Sequence, residues 1–289
     1  MDGILIVDKP AGLTSHDVVA KVRRAARMKK VGHAGTLDPL ATGVLVLALG
    51  KATRTIEYLT EHDKVYEARL RLGQSTTTYD AEGEVVTRHE GALPARETVD
   101  AALDHFQGDI LQKPPIYSAI KKGGEALYEK ARRGESVEVA PRPVTIYTLE
   151  MTDWAPPEVG LHVHCSKGTY IRSLAHDLGE ALGVGAYLST LRRTASGSFS
   201  LNQAHPLDAI TDATCEEIES LLLPVGAGLD ALPMIEVDEA AQQALRHGRS
   251  LSSGEGEGLV RAVDENGHLI AILQWHPDRG WQPVKVFVS

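Results

Sequence analysis

Lys30-Val31-Gly32-His33-Ala34-Gly35-Thr36-Leu37-Asp38-Pro39-Leu40-Ala41-Thr42-Gly43 sets one aspartate in a loop of glycine, threonine and proline. It lies between a basic segment and the apolar run Val44 to Leu49. Glycine reaches backbone angles that other residues reach only at a cost, and Pro39 biases Asp38 toward an extended conformation. The carboxylate is therefore expected on a shaped loop at the entrance of a strand, a common place for chemistry. Asp-Pro and glycine-rich loops are also ordinary turn material, so spacing alone admits a structural reading. What accompanies the loop decides between the two.

The 289 residues suffice for one large domain and a small one, and 43% hydrophobic residues supply a substantial core. No stretch approaches the roughly 18 to 20 apolar residues of a membrane span. Met1-Asp2-Gly3-Ile4 has neither the basic lead nor the cleavage site of a signal peptide. With only Cys165 and Cys215, a disulfide framework is not expected and a reducing cytoplasm fits. The net charge of −9 argues at first against a nucleic-acid partner. Its distribution changes that reading. Residues 201–289 hold 5 Lys/Arg against 14 Asp/Glu, whereas residues 1–54 hold 9 basic against 4 acidic and residues 113–143 hold 7 against 4. Phosphate binding depends on where charge is placed, so basic patches can serve within an acidic protein.

Gly3 to Val7 reads as a strand ended by Asp8-Lys9-Pro10, and Ser15 with Val18, Val19 and Val22 as a capped helix through about Arg27. The Asp38 loop and the strand Val44–Leu49 follow. Lys64 to Leu72 largely alternates, as a half-buried strand does, and Glu97 to Phe106 has helical spacing. Val144 to Met151 and Leu161 to Cys165 are two further strands, and Thr169 to Leu182 is a helix. Strands and helices mix without a regular βαβ alternation, so the fold class is α+β. Composition turns acidic from Asp208 to about Leu232. Beyond it Leu259–Val263, His268–Leu273 and Val284–Val288 read as the strands of a small β domain.

Several residues could carry chemistry. Asp38 needs a partner to hold it and set its pKa. Arg172, in Ser166-Lys167-Gly168-Thr169-Tyr170-Ile171-Arg172, is a candidate, with a surface arginine as the alternative. Tyr66 and Tyr170 are either half-buried tyrosines or aromatic platforms for a base removed from its stack. His33 either caps its loop or wedges into RNA, and Lys9 either braces a site or closes a turn. Lys113-Pro114-Pro115-Ile116-Tyr117-Ser118-Ala119-Ile120-Lys121-Lys122 interleaves basic and aromatic residues, which suits RNA as well as a solvated loop. His162-x-His164-Cys165 lacks a second ligand pair at zinc spacing, so no metal is expected.

Together these motifs resemble the bacterial TruB family, the tRNA pseudouridine-55 synthases. The resemblance runs through Gly3–Pro10, Gly32–Gly43, Lys64-Val65-Tyr66, Asp80-Ala81-Glu82-Gly83, Lys113–Lys122, Cys165–Arg172 and Leu191-Arg192-Arg193. It implies a mixed, largely antiparallel central sheet flanked by helices over residues 1–230, and a compact PUA-like β pseudo-barrel over 231–289. An RNA-clasping insertion would occupy about 113–143. It implies that Asp38 is the catalytic aspartate, that Tyr66 stacks on the flipped uracil and assists deprotonation at C5, and that Arg172 pairs with Asp38. Lys9 would support the site, Tyr170 and Leu191 would line the pocket, and His33 would pack against T-loop bases. Asp80 would contact RNA or position the tyrosine loop.

The implied reaction isomerises uridine 55 in the T stem-loop of tRNA, without metal or other cofactor. The enzyme would be a cytoplasmic monomer with no membrane association and no obligatory protein partner. Two other functions compete. A guide-dependent enzyme of the dyskerin type shares the catalytic loop but lacks the closing insertion. A tRNA-folding chaperone would use the same binding surface without the chemistry. A carboxylate glycosidase would require a second carboxylate at defined separation from Asp38.

Overall fold

The computed structural model describes residues 1–116, 121–122, 125–126, 133, 139–252 and 255–288. The strands that position the site are β1 (Gly3–Lys9), β2 (Val31–Ala34), β3 (Thr42–Leu49), β4 (Lys64–Leu72), β5 (Gly108–Gln112), β6 (Arg142–Ala155), β7 (Glu158–Cys165), β8 (Ala186–Ser196) and β9 (His205–Pro206). They lie in the order β9-β1-β3-β8-β4-β7-β6-β5, with β2 also paired to β3. Neighbours are antiparallel except β1 with β9 and β3 with β8. The sheet is thus mixed and largely antiparallel, as expected. Its main helices are α1 (Ser15–Ala25), α2 (Arg96–Leu103) and α3 (Ile171–Ala181).

Successive side chains of a strand point to opposite faces, and in β1 and β3 both faces are covered. Leu5, Val7, Leu45 and Leu47 enter one core with Val18 and Val22 of α1, while Ile4, Ile6, Val44 and Val46 enter a second. This is why Val44–Leu49 reads as an unbroken apolar run.

The structure departs from the sequence reading at several places. Val31–Ala34 belongs to the quoted loop by composition, yet it forms β2, with Val31 opposite Leu49 and Ala34 opposite Val46. The loop proper is thereby narrowed to seven residues, 35–41. Helix α1 is capped by Thr14, not Ser15: Thr14 and Asp17 form a reciprocal capping box. It ends at Ala25, and Arg27 takes a left-handed φ of 51°. Strand β8, next to the centre of the sheet, was not anticipated, because bulges near Leu188 and Arg193 interrupt its alternation. Helix α3 begins at Ile171 rather than Thr169.

The C-terminal part forms β10 (Met234–Glu236), α4 (Glu239–Arg246), β11 (Leu259–Val263), β12 (Leu269–His276) and β13 (Gly280–Val286). The four strands pair in sequence order, and a bridge from Leu251 to Trp281 extends the far edge. The last strand starts at Gly280 rather than Val284, with Pro283 beside a bulge on the edge, where a missing N–H is tolerated. Leu269 and Ile272 of this sheet, with Phe287 just beyond its last strand, share the second core with Ile4, Val46, Phe199 and Leu229, so the small sheet is packed against the large one. Among the described residues no helix is long and apolar enough to cross a membrane.

Candidate active site

The Asp38 loop is fixed from four directions. Gly35 and Gly43, at its two ends, have φ of 90° and 97°, which favour glycine. At Gly43 a Cβ would also come within 2.2 Å of the Arg193 carbonyl oxygen. Ala41 N–H donates to Asp38 O at 3.1 Å, closing a turn with Pro39 at its second position. Beneath it the Lys9 ammonium, fully buried, donates to Pro10 O, Pro39 O and Ala41 O at 2.9, 3.2 and 2.7 Å. Ser15, buried at the start of α1, accepts from Leu37 N–H at 2.8 Å and donates to Leu37 O at 3.1 Å. Lys9 therefore braces the loop, and Ser15 has a role that the sequence reading assigned to capping.

This mounting aims Asp38 into a cleft of about 470 Å³ together with Tyr66, Tyr170, Arg172 and Leu191. Arg172 Nε lies 2.9 Å from Asp38 Oδ2, and its Nη1 lies 3.5 Å from Asp80 Oδ2 and donates to Thr78 O at 3.3 Å. The Arg172 and Asp80 side chains are only 5% and 4% exposed, whereas Asp38 is 34% exposed toward the cleft. Asp80 thus stands behind Arg172. Its position is set by Thr78 Oγ1 and Glu82 N–H, both donating to Oδ1, and by a backbone bridge to Leu188. Tyr79, at a left-handed φ of 64°, stacks its ring on His176 of α3 at 3.9 Å. That stack pins the Asp80 loop to the helix bearing Arg172.

Electrostatics follow from this packing. Burial raises the Asp38 pKa above the ordinary carboxylate value; Arg172 opposes the shift and Asp80 adds to it. Burial also raises the Tyr66 phenol, while Arg193, hydrogen-bonded to it, pulls the other way. Lys9 and Lys64 are each lowered by burial to about 8. Burial lowers His33 to about 4, so its ring is neutral at neutral pH.

Among the described residues lining the cleft, Asp38 is the single acid, facing Lys64, Arg142, Lys167, Arg172 and Arg193. The local charge is opposite in sign to that of the whole chain. Arg193, 1% exposed, was missed as a site residue. It donates to Val44 O at 2.7 Å, Gly35 O at 3.1 Å and Thr36 O at 3.4 Å, tying the loop to β8. The parity of Leu191 and Arg193 on one strand face was the available signal.

His33 lies on β2, edge-on to His16 with ring centroids 5.2 Å apart, and is not among the cleft-lining residues. Most of the expected insertion, including Tyr117 and Tyr128, lies outside the described residues. The two histidines of the His162-x-His164-Cys165 motif have separate contacts: His162 meets Glu67 at 2.6 Å, and His164 lies against the Tyr147 ring.

Residues 23–171 match the N-terminal domain of the TruB family pseudouridylate synthases. Residues 172–230 match the tRNA pseudouridylate synthase B C-terminal domain, and 232–288 match the C-terminal region of tRNA pseudouridine synthase II. The chain is 43% identical over 291 residues to a tRNA pseudouridine synthase B of Dehalococcoides mccartyi, covering 100% of this chain and 97% of that one. It is 45% identical over 283 residues to that of Burkholderia pseudomallei, covering 95% and 93%. Among solved structures it is similar to a Cbf5-Nop10-Gar1 complex, with TM-score 0.77 and 29% identity over 99% of this chain and 85% of that chain. The chain belongs to the TruB family of pseudouridylate synthases.

Proposed function

We infer that this protein is a tRNA pseudouridine synthase that isomerises uridine 55 of the T loop. The observation that carries the reading is a single, arginine-paired carboxylate at the floor of an otherwise basic cleft beside a buried tyrosine. Family membership and relatives at 43% and 45% identity that bear the tRNA synthase name support the same activity.

The reaction breaks the N1–C1′ bond, forms a C5–C1′ bond, removes the C5 proton and leaves a proton on N1. A base in a folded loop must first leave its stack, at a cost of a few kcal/mol that the enzyme returns through contacts. The cleft offers Tyr66 and Tyr170 as aromatic faces and Leu191 as an apolar wall, with the basic side chains placed for backbone phosphates. Asp38 is the reactive group. Whether it attacks C1′, attacks the base or takes a sugar proton, its ionised form acts, and Arg172 opposes the desolvation that would keep it protonated. Tyr66 stacks on the base and stays a neutral phenol in the free protein, with Arg193 holding its oxygen for proton transfer near C5.

Lys9 and Asp80 act through the loop and through Arg172. His33, with its neutral ring, packs against T-loop bases. Residues 1–230 form the catalytic part, 113–143 close on the stem-loop, and 231–289 add RNA contact. Their acidity makes that last contribution the weaker one. The protein works in the cytoplasm as a monomer on bare tRNA. The dyskerin-type alternative is less favoured, since the Cbf5 structure is 29% identical against 43% and 45% for the tRNA synthases. The test is to incubate the chain with an unmodified tRNA transcript and map pseudouridine by carbodiimide-primer extension. A stop at position 55 without added protein or guide RNA is expected, and a need for guide RNA would refute the reading.

A further inference from the structure

Arg172 is the second residue of α3, where backbone N–H groups have no partner within the helix. Tyr170, the residue capping this helix, makes no side-chain capping bond. The start of α3 is instead held from outside. Gln112, at the end of edge strand β5, accepts from Tyr170 N–H at 2.7 Å and donates its amide to Tyr170 O at 3.0 Å. One residue beyond Arg172, Ser173 Oγ donates to Lys113 O at 2.7 Å. Three hydrogen bonds from two consecutive residues therefore bracket Arg172. Gln112 is 2% exposed, so neither of its bonds is exchanged readily with water.

We propose that Gln112 is a positioning residue for the isomerisation, docking the start of α3 so that the Arg172 guanidinium meets Asp38. Gln112 touches neither substrate nor carboxylate; it acts through the backbone of Tyr170. The Arg172–Asp38 contact of 2.9 Å depends on where the helix begins, because the guanidinium is already committed to Asp80 and Thr78 O on its other side. A small rotation of the first turn would separate Asp38 from Arg172 and shift the Tyr170 ring beside the flipped base, while the basic rim that meets backbone phosphates stays in place. The loss should thus fall on the chemical step rather than on RNA binding. This inference rests on the reading of the protein as a pseudouridine synthase.

The test is a double-mutant cycle on the full chain, read by single-turnover tritium release from tRNA labelled at C5 of uridine. Gln112→Ala should lower the rate at saturating tRNA by roughly tenfold, a misplacement effect, while the dissociation constant for tRNA stays within about twofold. In an Arg172→Lys background the same change should cost less than about twofold, because the group it positions is already altered. If Gln112→Ala does not fold, Gln112→Met runs the same cycle, since it fills the same space without a buried charge and removes both bonds to Tyr170. Independent, multiplicative losses in the two backgrounds, or a loss confined to binding, would overturn the inference. Absence of tritium release from the wild-type chain would instead overturn the underlying functional reading.

Discussion

Arg172 bridges two carboxylates of unlike exposure: Asp38, which faces the cleft, and Asp80, which is sealed behind it. One guanidinium thereby offsets the burial of both. Removing Arg172, the cation between them, leaves both carboxylates uncompensated, a cost of about 3–5 kcal/mol. Arg172→Met is expected to lower unfolding free energy by about that amount in urea melts, and to reduce turnover to below roughly one-hundredth. Arg172→Lys, which keeps the charge but loses the fork, should recover most of the stability and little of the rate.

Asp80→Asn tests the rear partner alone. Asp80 does not line the cleft, so tRNA affinity should change little while the single-turnover rate falls roughly tenfold or more. An equal loss in affinity, measured by filter binding, would place Asp80 on the RNA instead.

The pH profile should have two limbs. On the acid side activity rises as Asp38 ionises, at a pH above its ordinary 3.8 because burial raises it. On the alkaline side activity falls near 8 as Lys9 and Lys64 lose the protons that burial already weakens. Stability moves oppositely there. Between about 8 and 10.5 the unfolded chain holds more protons at these two lysines than the folded one, so their contribution to stability grows with pH. Rate–pH curves and urea melts across this range check both signs.

Ser15→Ala should destabilise the protein by about 1–3 kcal/mol, since Leu37 N–H loses a buried partner. Helix content by circular dichroism should be unchanged, because the Thr14–Asp17 capping box remains. A drop in rate with unchanged helicity separates bracing of the loop from capping.

Cys165 sits on β7 beside Lys64 O, wholly buried, with its thiol pushed up to about 12 by desolvation. It is therefore an inert core residue. Alkylation of the native protein should label Cys215 first and leave activity intact, as peptide mass spectrometry and an assay of the labelled protein would record.

The sequence made Asp38 legible because its company is local: two glycines, a proline and an apolar strand within a dozen residues. Arg172 was legible as a candidate, but the ion pair spans 134 positions and follows only from the folded sheet. Strand β8 was hidden for a physical reason, since its buried Arg193 reads as polar and its bulges break the alternation. Strand β2 was hidden by glycine, which marks loops more often than strands. Ser15 looked like a cap because helix-start serines usually are. Gln112 gave no signal at all: one glutamine at a strand end acquires meaning only when Tyr170 arrives opposite it. The small sheet was recognised by its short apolar runs, yet α4 between its strands was not.

The central claim is that the Asp38 carboxylate performs the isomerisation in this cleft. The most direct measurement is tritium release from tRNA labelled at C5 of uridine, comparing wild type with Asp38→Asn. Wild type should release one equivalent per tRNA, and Asp38→Asn should release it at less than roughly one-thousandth of the wild-type rate. Because burial disfavours the charged form of Asp38, the variant should melt no lower than wild type and still bind tRNA. Release by a folded Asp38→Asn protein at a rate near wild type would contradict the account.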